Sequence, residues 1–272
     1  MLDAPIQTYL PQIPLDIAVT VRRLLNHTGG IPDYGGLPAY YEALKADPTR
    51  PWTPDEFLTA TLTEGLVFIP GEDWRYSNIG FLLLRQVIET VRRTSLRTAL
   101  QERIFAPLGL RRTFVAQTLD DARQLTPGYS AFFAPDDSLQ DIQSLYHPGW
   151  VSHGVVISTA SDLALVIDAL FTGRLITSQS RDAMFEAVDV AVDAPFFRHP
   201  SYGLGVMIDH ESRYGVMAGH GGGGPGYSAG ALDLPDVHGR WVTSVALANR
   251  DGNDLGLEMA FTMGMIVGDM LG

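Results

Sequence analysis

Two groupings in this 272-residue chain have the residue types and spacing for chemistry: Tyr76-Ser77-Asn78, and a histidine leading four glycines, His220-Gly221-Gly222-Gly223-Gly224. Acyl transfer is one chemistry open to such residues, and it needs a nucleophilic hydroxyl with a base, fixed donors for the tetrahedral oxyanion and a proton for the leaving group. A phenol moves a proton near neutral pH only if a neighbouring cation lowers its pKa from about 10. Glycines in an extended segment let another backbone lie directly against it. The nucleophile is the gap in this set. There is no cysteine, and the single lysine, Lys45, has Glu42 three residues before it, so a serine paired with a lysine one helical turn on (Ser-x-x-Lys) occurs nowhere.

Composition narrows the partners. With 46% hydrophobic and 18% charged residues, the chain can bury the core of one large domain or two closely packed subdomains. A formal net charge of −12 repels phosphate backbones and anionic lipid surfaces, so no nucleic-acid partner is expected. No apolar run reaches the roughly 18 to 20 residues of a membrane span. The first residues, Met1-Leu2-Asp3-Ala4-Pro5, lack the basic region and apolar run of a signal peptide. The expectation is a soluble protein, cytoplasmic if Met1 is the true start and exported if a further segment precedes it.

The elements that must hold these residues are partly legible. Pro5, Pro11 and Pro14 make residues 1–19 an extended lead-in. A short helix is expected over Thr20 to Asn26, and Thr53-Pro54-Asp55-Glu56 is a capping box opening a second. The run after Asn78 is apolar on most of its circumference, which marks a buried helix, and Ser95 caps another that ends near Phe105. Residues 106–150 read as a long irregular crossing segment. Thr159 and Asp162 start a helix that Gly173 ends, and a shorter one covers Ser178 to Ala187. Strands are expected over Tyr202–Ile208, Tyr214–Ala218, Tyr227–Leu234 and Trp241–Ala248, then a helix from Leu255 to Met270. Helices first and a strand meander last imply α+β.

Several segments, in order, resemble the serine β-lactamase-like superfamily of class C β-lactamases, D-alanyl-D-alanine peptidases and related esterases. They are Leu24-Leu25-Asn26-His27-Thr28-Gly29-Gly30-Ile31-Pro32, Pro70 to Asn78, Phe105-Ala106-Pro107-Leu108-Gly109-Leu110, Gly154 with Ser158 to Leu163, Gly219 to Gly226, and Ala248-Asn249-Arg250-Asp251-Gly252. The resemblance implies an antiparallel sheet flanked by helices plus a helical subdomain. This would be one β-lactamase-like domain over 1–272, helical over about 20–150 and sheet over about 151–272 together with the lead-in. It also implies that the part carrying the first strands and the acylated serine is missing. Tyr76 would share proton transfer with the absent lysine, and Asn78 would bond that lysine and a substrate amide. His220 would face the cleft from an edge strand where many β-lactamases have lysine. Gly221, Gly222 and Gly223 would line the substrate, with the Gly223 N–H as one oxyanion donor.

Two competing motifs carry less. Gly226-Tyr227-Ser228-Ala229-Gly230 matches G-x-S-x-G, and His220 with its glycines imitates an HGGG oxyanion loop. In an α/β-hydrolase these sit on separate strand–helix units, whereas here they are six residues apart and only His238 follows. The G-x-G-x-x-G match at 219–224 lacks the helix that should come next. The remaining histidines, His27, His147, His153, His199 and His210, are scattered without a ligand pair, so no metal and no cofactor is expected. The functional expectation is an ester or amide hydrolase acting through an acyl-enzyme in the complete protein, esterase or peptidase ahead of lactamase, with this chain alone inactive. The alternative is a non-catalytic binding or scaffold protein that keeps the cleft. A homodimer or a complementing N-terminal segment is the expected macromolecular partner, because the apolar strand over Trp241–Ala248 would otherwise be an open edge.

Overall fold

The computed structural model describes residues 2–192, 194–252 and 254–272. In chain order they form α1 (Val21–Leu25), α2 (Pro38–Ala46), α3 (Pro54–Leu62), α4 (Asn78–Arg92) and α5 (Leu96–Leu100). Next come β1 (Phe114–Ala116), α6 (Leu119–Ala122), β2 (Tyr129–Ser130), β3 (Gln140–Asp141), β4 (Val155–Ile157), α7 (Ala160–Phe171) and α8 (Ser178–Met184). The last elements are β5 (Val188–Asp189), β6 (Pro200–Tyr202), β7 (Met207–Ser212), β8 (Gly215–Gly224), β9 (Tyr227–Val237), β10 (Arg240–Ala248) and α9 (Leu255–Leu271). The chain divides into two compact units. The first holds residues 1–106, 114–124 and 144–157, and the second residues 107–113, 125–143 and 158–272.

Helix starts in the first unit follow their caps. Thr20 accepts from Arg23 N at the start of α1. Thr53 and Glu56 exchange both bonds of a capping box ahead of α3, whose first residue is Pro54. Ser77 caps α4 by accepting from Gly80 N at 3.2 Å. Helix α4 is buried only in its first half: Ile79, Leu82 and Leu83 are fully enclosed, while Val91 is 58% exposed. The expected all-round burial therefore fails after Leu84, where Ile88, Thr90, Val91 and Arg92 are exposed to solvent.

Three expectations change. The lead-in is not extended and does not join the sheet. Residues Ile6–Thr8 form a 3-10 turn, Ile6 N donates to Val19 O, and Ile6, Leu10 and Val19 are buried within the first unit. Prolines stop a helix from forming there, but three large apolar side chains still need a core. The crossing segment is more ordered than its punctuation suggests: β1 pairs antiparallel with β4, and a Thr118–Asp121 capping box starts α6. It is also divided between the units, so the boundary near residue 150 does not hold. The expected strand over Tyr202–Ile208 is two strands, β6 and β7, joined by a turn that Gly203 N→Val206 O and the positive φ of Gly205 (77°) close.

The second unit is built on an antiparallel sheet in the order β10-β9-β8-β7-β6-β5. Alternation sorts its faces. Met217, Leu232, Leu234 and Ala246 pack with Leu257 and Ala260 of α9 on one face, where Ser244 Oγ donates to Ala260 O. Ala218 and Ile208 pack with Phe171 and Leu170 of α7 on the other. Strand β10 ends the sheet as expected and pairs with β9 alone among the described residues. No helix among them is long and apolar enough to cross a membrane.

Asp233 of β9 is 2% exposed, and its Oδ1 accepts from Trp241 Nε1 at 2.7 Å and Thr243 Oγ1 at 2.9 Å. Burial pushes its pKa up to about 6 despite those two bonds, and the charge of Asp168 adds to the rise. The fold therefore holds this proton more tightly than the unfolded chain does. Its stabilising contribution is complete below about pH 4 and is lost as pH rises through about 6. Asp233→Asn keeps the acceptor and removes the charge, so its advantage over wild type should grow from near zero at pH 4 to about 3 kcal/mol above pH 7. Guanidinium unfolding across that range checks this, and a difference that does not change with pH would refute it.

Candidate functional site

In the first unit the site residues are held by the start of α4. His27 sits in the left-handed region (φ 61°) and is 3% exposed. Its Nδ1 accepts from Ser77 N at 3.1 Å, and its carbonyl accepts from Arg75 N. Its ring lies 4.3 Å from the Tyr76 ring and 5.2 Å from that of Phe81. His27 is thus the clamp that fixes residues 75–77. Ser77 is further tied by its hydroxyl, which donates to Pro32 O at 3.0 Å.

Asn78 is the first residue of α4 and not its cap. Its backbone N donates to Asp33 Oδ1 at 2.7 Å and its side-chain Nδ2 to Asp33 Oδ2 at 3.2 Å. Asp33 itself caps the short 3-10 turn Tyr34–Gly36 by accepting from Gly35 N. Nothing local in the sequence marks Asp33, which lies 45 residues before its partner. Tyr76 is half-buried, and its pKa is pushed up to about 12, first by burial and then by the charge of Asp33. The phenol stays protonated at neutral pH, so it can donate a hydrogen bond but becomes a base only if a cation is brought to it.

In the second unit His220 lies in β8, which is not an edge strand: β7 and β9 flank it. The β7 ladder, however, runs only to Met207↔Gly219, whereas the β9 ladder continues from Ala218↔Asp233 to Gly224↔Tyr227. From His220 to Gly224 the strand therefore has a ladder partner on one side only among the described residues, an open edge over those five residues. Tyr202 OH lies 2.9 Å from His220 Nε2, and His220 Nδ1 lies 2.5 Å from Gly221 O. The carbonyl can only accept, so Nδ1 carries the proton and Tyr202 donates to Nε2. Burial also lowers the pKa of His220, and the ring is neutral. Tyr202 is the second site neighbour that sequence reasoning missed.

The glycines of β8 differ in why they are there. A Cβ on Gly219 would stand 2.0 Å from Ala231 O, so strand packing requires that glycine, and one on Gly221 would meet Leu257 at 3.4 Å. At Gly223 and Gly224 a Cβ would meet nothing within 4 Å, and at Gly222 only the Ala229 Cβ at 4.0 Å. None of the three has a positive φ. Neither packing within the unit nor backbone conformation requires them. The G-x-S-x-G match is structural: Gly226 (φ 77°) turns the β8–β9 hairpin, and Ser228 is 4% exposed, with its Oγ accepting from Gly256 N at 2.8 Å. Gly230 lets β9 approach the start of α9, where a Cβ would lie 2.3 Å from Gly256 O.

The protein-family model described as Beta-lactamase matches residues 1–262. Penicillin-binding protein 4* of Bacillus subtilis is 30% identical over 263 residues, covering 90% of this chain and 54% of its own length. A D-aminopeptidase of Cereibacter sphaeroides is 26% identical over 244 residues, 86% of this chain and 43% of its own. The chain spans about half the length of the curated relatives it matches. Among solved structures, a D-stereospecific amidohydrolase from Streptomyces sp. superposes with a TM-score of 0.81 at 30% identity, over 97% of this chain and 79% of that one. A penicillin-binding protein from Bacillus halodurans, with a TM-score of 0.75 at 21% identity over 100% of this chain and 79% of that one, shares the fold. With the family match running from residue 1 to residue 262, on the α+β fold of β-lactamases and DD-peptidases, the chain belongs to the serine β-lactamase-like superfamily.

Proposed function

We propose that this chain carries the second and third motifs of a serine hydrolase that cleaves amide or ester bonds through an acyl-enzyme. Amides of D-configured amino acids or short peptides rank ahead of β-lactams as substrates. The observation that carries the proposal is the one-sided stretch of β8 from His220 to Gly224, whose last three glycines meet no need of the fold. An extended substrate backbone lying along that edge gives both features a purpose, with the Gly223 N–H available to an oxyanion. The relatives named for D-aminopeptidase and D-stereospecific amidohydrolase activity support the substrate class. The state of His220 disfavours β-lactams: a neutral ring with both nitrogens bonded offers no cation to an antibiotic carboxylate. Tyr76 would relay a proton and Asn78 would hold a lysine, once a lysine near the phenol offsets its raised pKa.

That lysine and its serine are not among these residues, because Lys45 stands three after Glu42. We therefore expect no acyl-enzyme from the isolated chain. Incubation with a fluorophosphonate or a penicillin, followed by mass spectrometry, should show no stoichiometric serine adduct. An adduct on any serine would refute this, and one on Ser228 would revive the α/β-hydrolase assignment. The raised pKa of Tyr76, set by burial and the charge of Asp33, favours a second reading, a binding protein that retains the cleft without turnover. The two readings part when a Ser-x-x-Lys segment is supplied: turnover supports the hydrolase, and binding without turnover supports the scaffold.

The glycines give a second test. Gly219→Ala should cost about 3 kcal/mol of stability, since its Cβ must displace backbone. Gly223→Ala should leave stability unchanged or raise it by about 0.5 kcal/mol, while weakening binding of a D-amino-acid amide. Thermal melts and titration calorimetry read the two effects, and equal destabilisation by both variants would show that the fold needs Gly223 after all.

The edge of β10 bears on partners. Trp241 and Leu247 are 43% and 42% exposed on a strand with a single neighbour among the described residues. We expect that edge to pair with a second copy or a complementing strand. Light scattering should then give a mass above the 29.7 kDa of one chain, or a complex with the added segment, with slow amide exchange over residues 243–248. A monodisperse monomer with fast exchange throughout that stretch, unchanged by the segment, rules it out.

A further inference from the structure

We propose that Asp33 is a positioning residue: it fixes the side-chain amide of Asn78 so that the oxygen, not the nitrogen, is turned outward as an acceptor for an ammonium group. This rests on reading Asn78 as a site residue, and its test needs no turnover.

A carboxamide has two ends of nearly equal size, and which end faces a ligand is decided by its hydrogen-bond partners. Asp33 decides it here. An ionised carboxylate only accepts, and the Asp33 oxygens lie 3.2 Å from Asn78 Nδ2 and 2.7 Å from Asn78 N. Were the amide flipped, Asn78 Oδ1 would confront Asp33 Oδ2, two acceptors with no proton between them. The main-chain bond prevents the carboxylate from swinging away to relieve that conflict, because the same group is anchored by the first N–H of α4. It is anchored on its own side as well. Gly35 N donates to Asp33 Oδ2 at 3.1 Å, and Leu37 N→Tyr34 O closes the turn that follows. Three donors from two segments thus converge on one carboxylate, and only one of them, Asn78 Nδ2, belongs to a side chain that could have turned the other way.

The same carboxylate acts on the neighbouring phenol, since its charge is the second cause, after burial, of the raised pKa of Tyr76. An ammonium arriving at Asn78 Oδ1 would meet an oriented dipole backed by an anion, a combination suited to a cation and hostile to a carboxylate. A merely structural Asp33, serving only as a cap for the turn and an anion at the start of α4, would hold the backbone without caring which way the amide points.

The experiment is side-chain amide NMR of the full 272-residue chain labelled with 15N. In wild type, one Asn78 amide proton should be shifted from its geminal partner and protected from solvent exchange by about 10-fold or more. Asp33→Asn should abolish that protection, and in the same variant the Tyr76 phenol should titrate at lower pH than in wild type. The exchanged pair Asp33→Asn/Asn78→Asp, which rebuilds an amide-to-carboxylate bond in the opposite sense, should restore the melting temperature lost by Asp33→Asn and place the protected proton on residue 33. Two equivalent, fast-exchanging Asn78 protons in wild type overturn the proposal without any variant. So does an Asp33→Asn protein with Asn78 protection and Tyr76 titration both unchanged. If Asp33→Asn does not fold, the wild-type spectrum and the exchanged pair decide the matter.

Discussion

The hydrogen bond from Ser77 N to His27 Nδ1 is the interaction on which the first unit's chemistry depends. It joins the residue that caps α4 to a buried imidazole 50 residues earlier, so the helix start is fixed against the segment after α1 and not merely formed. His27 can do this only from the left-handed backbone region, a conformation uncommon for a residue with a side chain and sustained by the packing of Tyr76, Phe81 and Trp74 around its ring. Tyr76 and Asn78 flank Ser77, so their placement is inherited from that one bond together with the Asp33 contacts beside it.

The second unit solves a different problem, how to leave backbone exposed without losing the sheet. Among the described residues, strand β8 has ladder partners on both sides at Ala218 and Gly219, and only β9 after them. The loss of ladder bonds past that point is local because β9 continues alongside to Tyr227 and α9 covers the face carrying Met217 and Leu232. Glycine is a poor strand former, and a run of it would weaken an unsupported strand. Here the neighbouring β9 supplies the order, and the glycines keep the open side free of side chains. Gly219 and Gly223 look alike in the sequence yet answer to opposite demands, one to a carbonyl 2.0 Å from where its Cβ would be and the other to empty space.

Much of this was legible in the residues, and the misses share a cause. Caps announced themselves: Thr20, Thr53 with Glu56, Ser95 and Thr159 begin helices where local chemistry puts them. Thr118 with Asp121 carried the same signal and was masked by the proline and glycine around it. The long strands β9 and β10 and helix α9 followed from periodicity, whereas Tyr202–Ile208 hid a turn at Gly203 and Gly205 because apolar residues surround both glycines. The lead-in was misplaced because proline spacing says what a segment cannot be and not what it packs against. Asp33 and Tyr202 escaped for a related reason. Their significance lies in contacts to Asn78 and His220 across 45 and 18 residues, and no local pattern encodes those distances. Tyr76, Asn78 and His220 are candidates through ordered resemblance, and that same route could not reveal that His220 is neutral and bonded at both nitrogens.

Taken together, the electrostatics leave a specific deficit. The chain has a formal charge of −12 and one lysine, Tyr76 is held protonated by burial and by Asp33, and His220 is kept neutral by burial. Neither the phenol of the first unit nor the imidazole of the second carries positive charge near neutral pH. An ammonium brought to the first unit would meet an oriented acceptor and a nearby anion, and in approaching the phenol would lower the pKa that now stands at about 12. The arrangement therefore has the sign needed to receive a lysine or an amine-bearing substrate. It has the wrong sign for a ligand whose recognised group is a carboxylate, which would add charge beside Asp33. Electrostatic complementarity of this kind discriminates between ligand classes before shape does. In the first unit it follows from three residues: burial and the charge of Asp33 keep the Tyr76 phenol protonated, and the Asp33 carboxylate accepts from the Asn78 side-chain amide.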